Sequence, residues 1–445
     1  MKRYNMITLK DIKEAKTNLE GIILQTPLTY APFLSKEFNS NIYLKKENLQ
    51  LTGSFKIRGA FNKVASLDKD IREKGIVAAS AGNHAQGIAY SGSYFGCEAT
   101  IFMPEATPLT KVSGVKQYGA KVVLGGQNYD EAYAAAIKYS DENSKTFIHP
   151  FADDKVIAGQ GTIGLEIIED INDLDVLVIP IGGGGLISGA ALAAKAINPK
   201  IKIVGVVASG ARGMKESYDS KLPIDSTYVK TIADGIAVKA VSPKTFEYIL
   251  EYVDEVVEVE EHEIANAILF LLEKHKLVVE GAGAVSVAAL MHGKIDVEDL
   301  KVCGIISGGN IDVTMLSQII EKGLVKSYRK MNLLVTLIDK PGSLMHLTSI
   351  FQSCDANIVQ IDYDRSSVKL EFGEAHVTIS LETKGEEHQK SIRENLKHNG
   401  YRFKQIWLFN ILFIKNLESK VYNGRHNYRR NYKEGRRWKE DYLHS

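Results

Sequence analysis

A chain of 445 residues, 44% apolar and with a formal net charge of +1, is long enough for several domains of roughly 100–200 residues each. It carries no overall field that would draw it to nucleic acid or to a lipid surface. Its three cysteines, Cys97, Cys303 and Cys354, are too few and too scattered for a disulfide framework or a four-ligand zinc site, which points to a reducing, cytoplasmic setting. The N-terminal stretch MKRYNMITLKDIKEAKTNLEG is too charged for a signal-peptide core. The longest apolar run, residues 406–414, is about half of the ~18 residues needed to cross a bilayer, so a soluble protein is expected.

In chain order, residues 8–20 are predicted to form an amphipathic helix opened by Thr8, and Thr26-Pro27 begins an extended segment. NIYLKKE, residues 41–47, alternates as a strand and leads into LTGSFKIRGAF, residues 51–61. There Lys56 stands between Phe55 and Ile57 with small residues on either side. Burial among apolar neighbours lowers a lysine pKa from its free value of about 10.4, and a neutral amine can attack a carbonyl to form a Schiff base. A lysine at a helix start is also commonly structural, so the stretch alone does not decide. Helical spacing follows over residues 57–67. A strand at 75–79 then runs into the turn Ser80-Ala81-Gly82-Asn83-His84 and a helix over 85–95. Strands at 97–103 and 121–124 flank residues 111–118, and a helix over 129–140 leads to a strand at 146–149.

Strands alternating with helices predict a parallel α/β sheet covered on both faces, with ligands bound beyond the carboxyl ends of the strands. DVLVIPI, residues 175–181, reads as such a buried strand. It enters Gly182, Gly183, Gly184 and Gly185 and then a helix over 186–197. Strand, glycine loop and helix N-terminus together make a phosphate-binding nest. No Gly-Lys-Ser/Thr is present, the G-x-G-x-x-G spacing fails, and the next strand, 201–208, ends without an acidic residue to hold a ribose. A small phosphorylated group therefore fits better than a dinucleotide. VVEGAGA (278–284) and KVCGIISGGN (301–310) complete the domain, the latter a buried strand with Ser307 at its tip.

SFKIRGA (54–60), SAGNH (80–84), GGGGL (182–186) and SGGN (307–310) occur in this order over residues 5–325. Together they resemble pyridoxal-phosphate enzymes of the tryptophan-synthase β-like fold, and among these the threonine dehydratases (threonine ammonia-lyases). The resemblance implies a two-lobed α/β parallel-sheet fold with a smaller lobe at about 51–150. It implies that Lys56 holds pyridoxal 5'-phosphate as a Schiff base and takes the substrate Cα proton, and that Phe55 packs near the cofactor ring. Asn83 would partner the phenolic oxygen, and Gly182, Gly183, Gly184, Gly185 and Leu186 the phosphate. Ser307 would partner the pyridine nitrogen, a neutral partner that favours loss of a β-hydroxyl over transamination. Ser80, Ala81, Gly82, Asn83 and His84 would receive the substrate carboxylate, largely through backbone N–H groups. The implied reaction is deamination of L-threonine, and of L-serine, to a 2-oxo acid and ammonia. Other β-elimination or replacement chemistry, racemisation, or a catalytically dead amino-acid sensor are the alternatives. Serine racemases carry a serine where this chain has Ala81, and a metal-binding acidic pair where it has Val207 and Gly213, so racemisation is disfavoured and no divalent metal of that kind is expected.

The catalytic part is expected to end at residue 326, with a linker at 327–330. Residues 331–403 read β-α-β-β-α-β, the ferredoxin-like order. With the turn Asp339-Lys340-Pro341-Gly342-Ser343-Leu344 they resemble the ACT regulatory domain. That resemblance implies an amino-acid effector bound near Gly342 and Asn357 and a homo-oligomer, dimer or tetramer, and leaves open both the effector and a role in isoleucine synthesis or threonine catabolism. The resemblance stops near Phe403. Residues 404–445 turn abruptly basic and aromatic and hold both tryptophans, Trp407 and Trp438. They are expected to be foreign to the family, a frameshifted and partly disordered end. Nucleic-acid binding is disfavoured there, because clustered charge is usually only solvated.

Overall fold

The computed structural model describes residues 5–367 and 370–406; the atypical tail beyond residue 406 lies outside them. The chain divides into two compact units, Met1–Leu316 and Ser317–Ser445.

Among the described residues ten strands build the first unit: β1 (Leu28–Tyr30), β2 (Asn41–Lys46), β3 (Ile76–Ala79), β4 (Ala99–Met103), β5 (Lys121–Leu124), β6 (Thr146–Phe147), β7 (Val176–Pro180), β8 (Lys202–Ala208), β9 (Glu255–Val259) and β10 (Lys301–Ile306). They form two sheets, ordered β1-β2-β10-β7-β8-β9 and β5-β4-β3-β6. Every pairing is parallel except that of β1 with β2. β7 is buried along its whole length, as a strand covered by helices on both faces must be. The smaller sheet lies within residues 76–147, inside the expected smaller lobe. The turns after β3, β7 and β10 all leave the carboxyl ends of parallel strands, as predicted, and the chain passes from the end of β2 through a short 3-10 turn at Glu47–Leu49 towards Lys56.

Helix Asp154–Asp170 was not predicted. It is apolar almost all round, with thirteen buried residues from Val156 to Ile168, so no amphipathic period marks it in sequence. It packs backbone to backbone against two other helices. A Cβ on Gly159 would sit 2.6 Å from the Arg58 carbonyl oxygen in helix Lys56–Ala65, and one on Gly189 in helix Gly185–Ile197 would sit 2.2 Å from the Ile157 carbonyl oxygen. Only glycine permits either approach.

Four charged side chains are buried where these elements meet. Arg58 donates from Nε and Nη2 to Glu47 at 2.9 and 2.8 Å, and from Nη1 and Nη2 to Glu166 at 2.5 and 3.0 Å. Lys45 pairs with Glu166 at 2.6 Å and donates to the Thr26 carbonyl, while Thr26 Oγ1 donates to Glu47. Two cations and two carboxylates leave the group neutral, which is what makes such burial tolerable.

The second unit follows the predicted order: β11 (Lys330–Ile338), helix Ser343–Ser353, β12 (Asn357–Asp364), β13 (Glu374–Glu382), helix Glu386–His398 and β14 (Arg402–Gln405). The sheet runs β12-β13-β11-β14 and is antiparallel throughout. Met331, Leu333, Val335 and Leu337 alternate inward on β11 and meet Leu347, Phe351, Ile392 and Leu396 from the two helices. Helix Val313–Lys326 spans the division between the units, which falls between Leu316 and Ser317. Only residues 327–329 separate this helix from β11.

Candidate active site

Lys56 is the first residue of helix Lys56–Ala65, and the loop that delivers it is stitched to the turn after β10. Phe55 N–H donates to the Ser307 carbonyl at 3.1 Å, Gly309 N–H to the Gly53 carbonyl at 2.9 Å, and Ser54 bridges Gly308 in antiparallel fashion. Backbone hydrogen bonds therefore fix the amine's helix against the Ser307 turn. Lys56 Nζ donates to the Pro150 carbonyl at 3.1 Å and lies 5.2 Å from the centre of the Phe55 ring. Burial pushes its pKa down to about 8, opposed by the Glu280 carboxylate, so a substantial fraction of the amine is neutral near pH 8. Two histidines near Lys56 are also neutral. Burial, reinforced by the Lys56 charge, takes His84 down to about 3; His149 falls to about 4, burial and Lys56 outweighing the nearby Asp153.

After β7, Gly184 adopts φ +87° and opens helix Gly185–Ile197 with no side-chain cap. A Cβ on Gly183 would meet the Phe151 ring at 2.4 Å. The glycines let Phe151 and the helix close up, leaving an uncapped helix N-terminus, which suits a phosphate. Leu186 is buried in the core, so its backbone alone can serve such a group.

The turn after β3 is built similarly. Ser80 Oγ accepts from Gly82 N–H at 3.2 Å, and helix Asn83–Phe95 starts without a side-chain cap. The His84 ring is buried, with Nε2 on the Ile148 carbonyl at 3.0 Å, so this residue also offers its backbone rather than its imidazole. Asn83 is held at both ends. Its Nδ2 donates to Glu280 Oε1 at 2.7 Å, and its Oδ1 accepts from Asn310 Nδ2 at 2.7 Å. Asn310 also donates to the Thr52 carbonyl at 2.8 Å. Ser307, almost fully buried, donates its hydroxyl to the Ala282 carbonyl at 3.2 Å.

Lys56, Asn83 and Ser307 are thus joined through short contacts, with the glycine turn beside them across Pro150 and Phe151. Gly342 and Asn357 belong to the second unit. Gly342 caps helix Ser343–Ser353 with φ +88°, whereas Asn357 donates to Glu382 at 2.8 Å and lines a shallow hollow with Thr348, Gln352 and Asp355. Gly342 is not among the residues of that hollow. Val207 is buried in β8 and Gly213 begins helix Gly213–Ser220. Among the described residues no group of three or more His, Cys, Asp or Glu side chains is placed to hold a metal, and no helix is long and apolar enough to cross a membrane.

Sequence reasoning missed Glu280, Asn310, Pro150 and Phe151 as members of the site. The signal for Glu280 was present, a lone carboxylate in the apolar and small-residue run VVEGAGA; Pro150 and Phe151 carried none, because their roles depend on backbone placement.

The donor set fits a phosphorylated aldehyde: a partly neutral buried amine, an uncapped glycine-lined helix N-terminus, and amide and hydroxyl groups at fixed positions. Residues 19–308 match the pyridoxal-phosphate dependent enzymes, and the chain belongs to that family. Its relatives narrow the class. It is 49% identical over 404 residues to the L-threonine ammonia-lyase of Thermotoga maritima, covering 89% of this chain and 98% of that one, a share too large for the first unit alone to hold. Among solved structures, the processed form of threonine deaminase isoform 2 from Solanum lycopersicum is 36% identical with a TM-score of 0.66, over 72% of this chain and 95% of that one. Maize serine racemase is 32% identical with a TM-score of 0.68, over 73% and 100%.

Proposed function

We propose that the protein is a pyridoxal-phosphate-dependent lyase that deaminates L-threonine, and L-serine, to 2-oxobutanoate or pyruvate with release of ammonia. The observation that carries this reading is the desolvated Lys56 amine, at the head of a helix whose preceding loop is joined by backbone hydrogen bonds to the Ser307 turn. When bound, the cofactor supplies an electron sink that makes the substrate Cα proton acidic.

The chain's own residues supply the rest. Lys56 anchors the cofactor and, once freed, is the base for the Cα proton, a role that needs an amine able to be neutral. Gly182, Gly183, Gly184, Gly185 and the backbone of Leu186 hold the phosphate, Phe55 packs by the ring, Asn83 donates to the phenolic oxygen, and Ser307 faces the pyridine nitrogen. Backbone N–H groups of Ser80, Ala81, Gly82, Asn83 and His84 receive the substrate carboxylate at the uncapped helix N-terminus. Ala81 has no group that can carry a proton, which speaks against racemisation. Purified protein should release 2-oxobutanoate and ammonia from threonine. Lys56→Ala should abolish both this and the borohydride-sensitive visible absorption of the bound cofactor. Bound cofactor without product from threonine overturns the reading.

The second unit is proposed to bind an effector amino acid near Asn357 and Gly342, supported by its ferredoxin-like order, in a cytoplasmic dimer or tetramer. Rates measured with added isoleucine or valine, with sedimentation alongside, test this; a monomer with rates indifferent to amino acids contradicts it.

A further inference from the structure

Glu280 is a carboxyl with few of the uses a buried acid normally has. It stands at the N-cap of helix Gly281–Met291 but does not cap it with its side chain, and it is 4% exposed. Among the described residues no cation forms a salt bridge with it. Instead Oε1 accepts the Asn83 Nδ2 hydrogen at 2.7 Å. Its place is built for it. A Cβ on Gly308 would fall 2.3 Å from Oε1, so the glycine there makes the room for the carboxyl.

The charged groups that face it come from three elements. Asp234 lies in the short turn Asp234–Ile236, Lys111 in helix Leu109–Lys116, and Lys56 at the start of its own helix. Lys111 pairs with Asp234 at 2.5 Å rather than with Glu280. Burial, and then Asp234, raise the Glu280 pKa to about 7, while Asn83, Lys111 and Lys56 act in the opposite direction.

Asn83 has two Nδ2 hydrogens, and Glu280 takes one. On the reading that the other goes to the cofactor's phenolic oxygen, the state of Glu280 matters to the cofactor. An ionised carboxylate draws the amide more strongly and places a negative charge beside the ring; a protonated carboxyl does neither. We propose that Glu280 is a positioning residue and proton holder of the active site, which orients the Asn83 amide and, by exchanging a proton with bulk water, sets how strongly Asn83 donates to the cofactor. This rests on the proposed role of Asn83.

The test is a pH titration of the visible absorption of the holoenzyme. The wild type should show a transition with its midpoint above the ordinary carboxylate range, and Glu280→Gln should lack it. The amide in that variant can still accept from Asn83 through its oxygen but cannot ionise. A wild type without the transition, or a Glu280→Gln variant that keeps it, overturns the proposal. Should Glu280→Gln fail to retain cofactor, Lys111→Met provides the reading at a partly exposed site. It removes a cation that lowers the Glu280 pKa and leaves Asp234 unpaired, so the midpoint must move to higher pH; an unmoved midpoint overturns the proposal. Failure of the site reading looks different: cofactor absorption would survive Lys56→Ala, or its spectrum would be indifferent to Asn83→Ala.

Discussion

Replacing Arg58 with methionine removes the charge that holds the buried ion group together while keeping a long apolar stem. The group would pass from neutral to a net −1. Glu166 would keep Lys45 at 2.6 Å, but Glu47, with no solvent exposure, would be left with the Thr26 hydroxyl as its side-chain donor. Breaking a buried pair in this way costs about 3–5 kcal/mol, a large part of the ~5–15 kcal/mol that holds a folded domain. The pH dependence carries a sign. In the wild type, burial pushes the Glu166 carboxyl up but Arg58 and Lys45 outweigh it, so the carboxyl sits below its ordinary value and stabilises the fold above the unfolded pKa. In the variant the buried group carries an unmatched negative charge, so the defect is full at higher pH and is relieved as pH falls and the group takes up a proton. Urea unfolding followed by circular dichroism should therefore show a larger deficit at about pH 8 than at about pH 5. A loss below about 1 kcal/mol, the scale of a surface pair, or a deficit independent of pH, would refute the reasoning.

Two further outcomes are expected. The rate at which apoprotein takes up cofactor should rise with pH and level off above about 8, because only the neutral Lys56 amine attacks the aldehyde; a rate still rising towards about pH 10, as for a free lysine, contradicts the desolvated setting. Gly159→Ala would press a methyl to 2.6 Å from the Arg58 carbonyl, which should cost about 1–3 kcal/mol by overpacking and weaken cofactor retention. Unchanged thermal stability and cofactor affinity would show that the helices can part freely.

The features readable in sequence were the local ones. Lys56 among small and apolar neighbours, the glycine run after DVLVIPI and the β-α-β-β-α-β order each declare themselves within one stretch of chain. What escaped is made by distance. Lys45, Glu47, Arg58 and Glu166 are ordinary charges one by one, and only the meeting of β2 with two helices turns them into a closed group. Helix Asp154–Asp170 escaped for the opposite reason, since full burial erased the polar face that would have given it a period. Glu166, a charge in the middle of that apolar segment, was the clue that something opposite must neutralise it.

The glycine contacts at Gly159 and Gly189 carry a consequence for how such an enzyme can diversify. The separation between the Lys56 helix and the helix that follows the glycine turn is fixed by main chain touching main chain, a ruler that no side-chain exchange elsewhere can lengthen. Asn83 begins the helix that follows β3 of the other sheet, and that helix meets the Lys56 helix less tightly, a Cβ on Gly87 falling 3.2 Å from Ile57 Cα. A lineage can therefore vary side chains around the Asn83 turn while the spacing of Lys56 from the glycine turn keeps its dimensions.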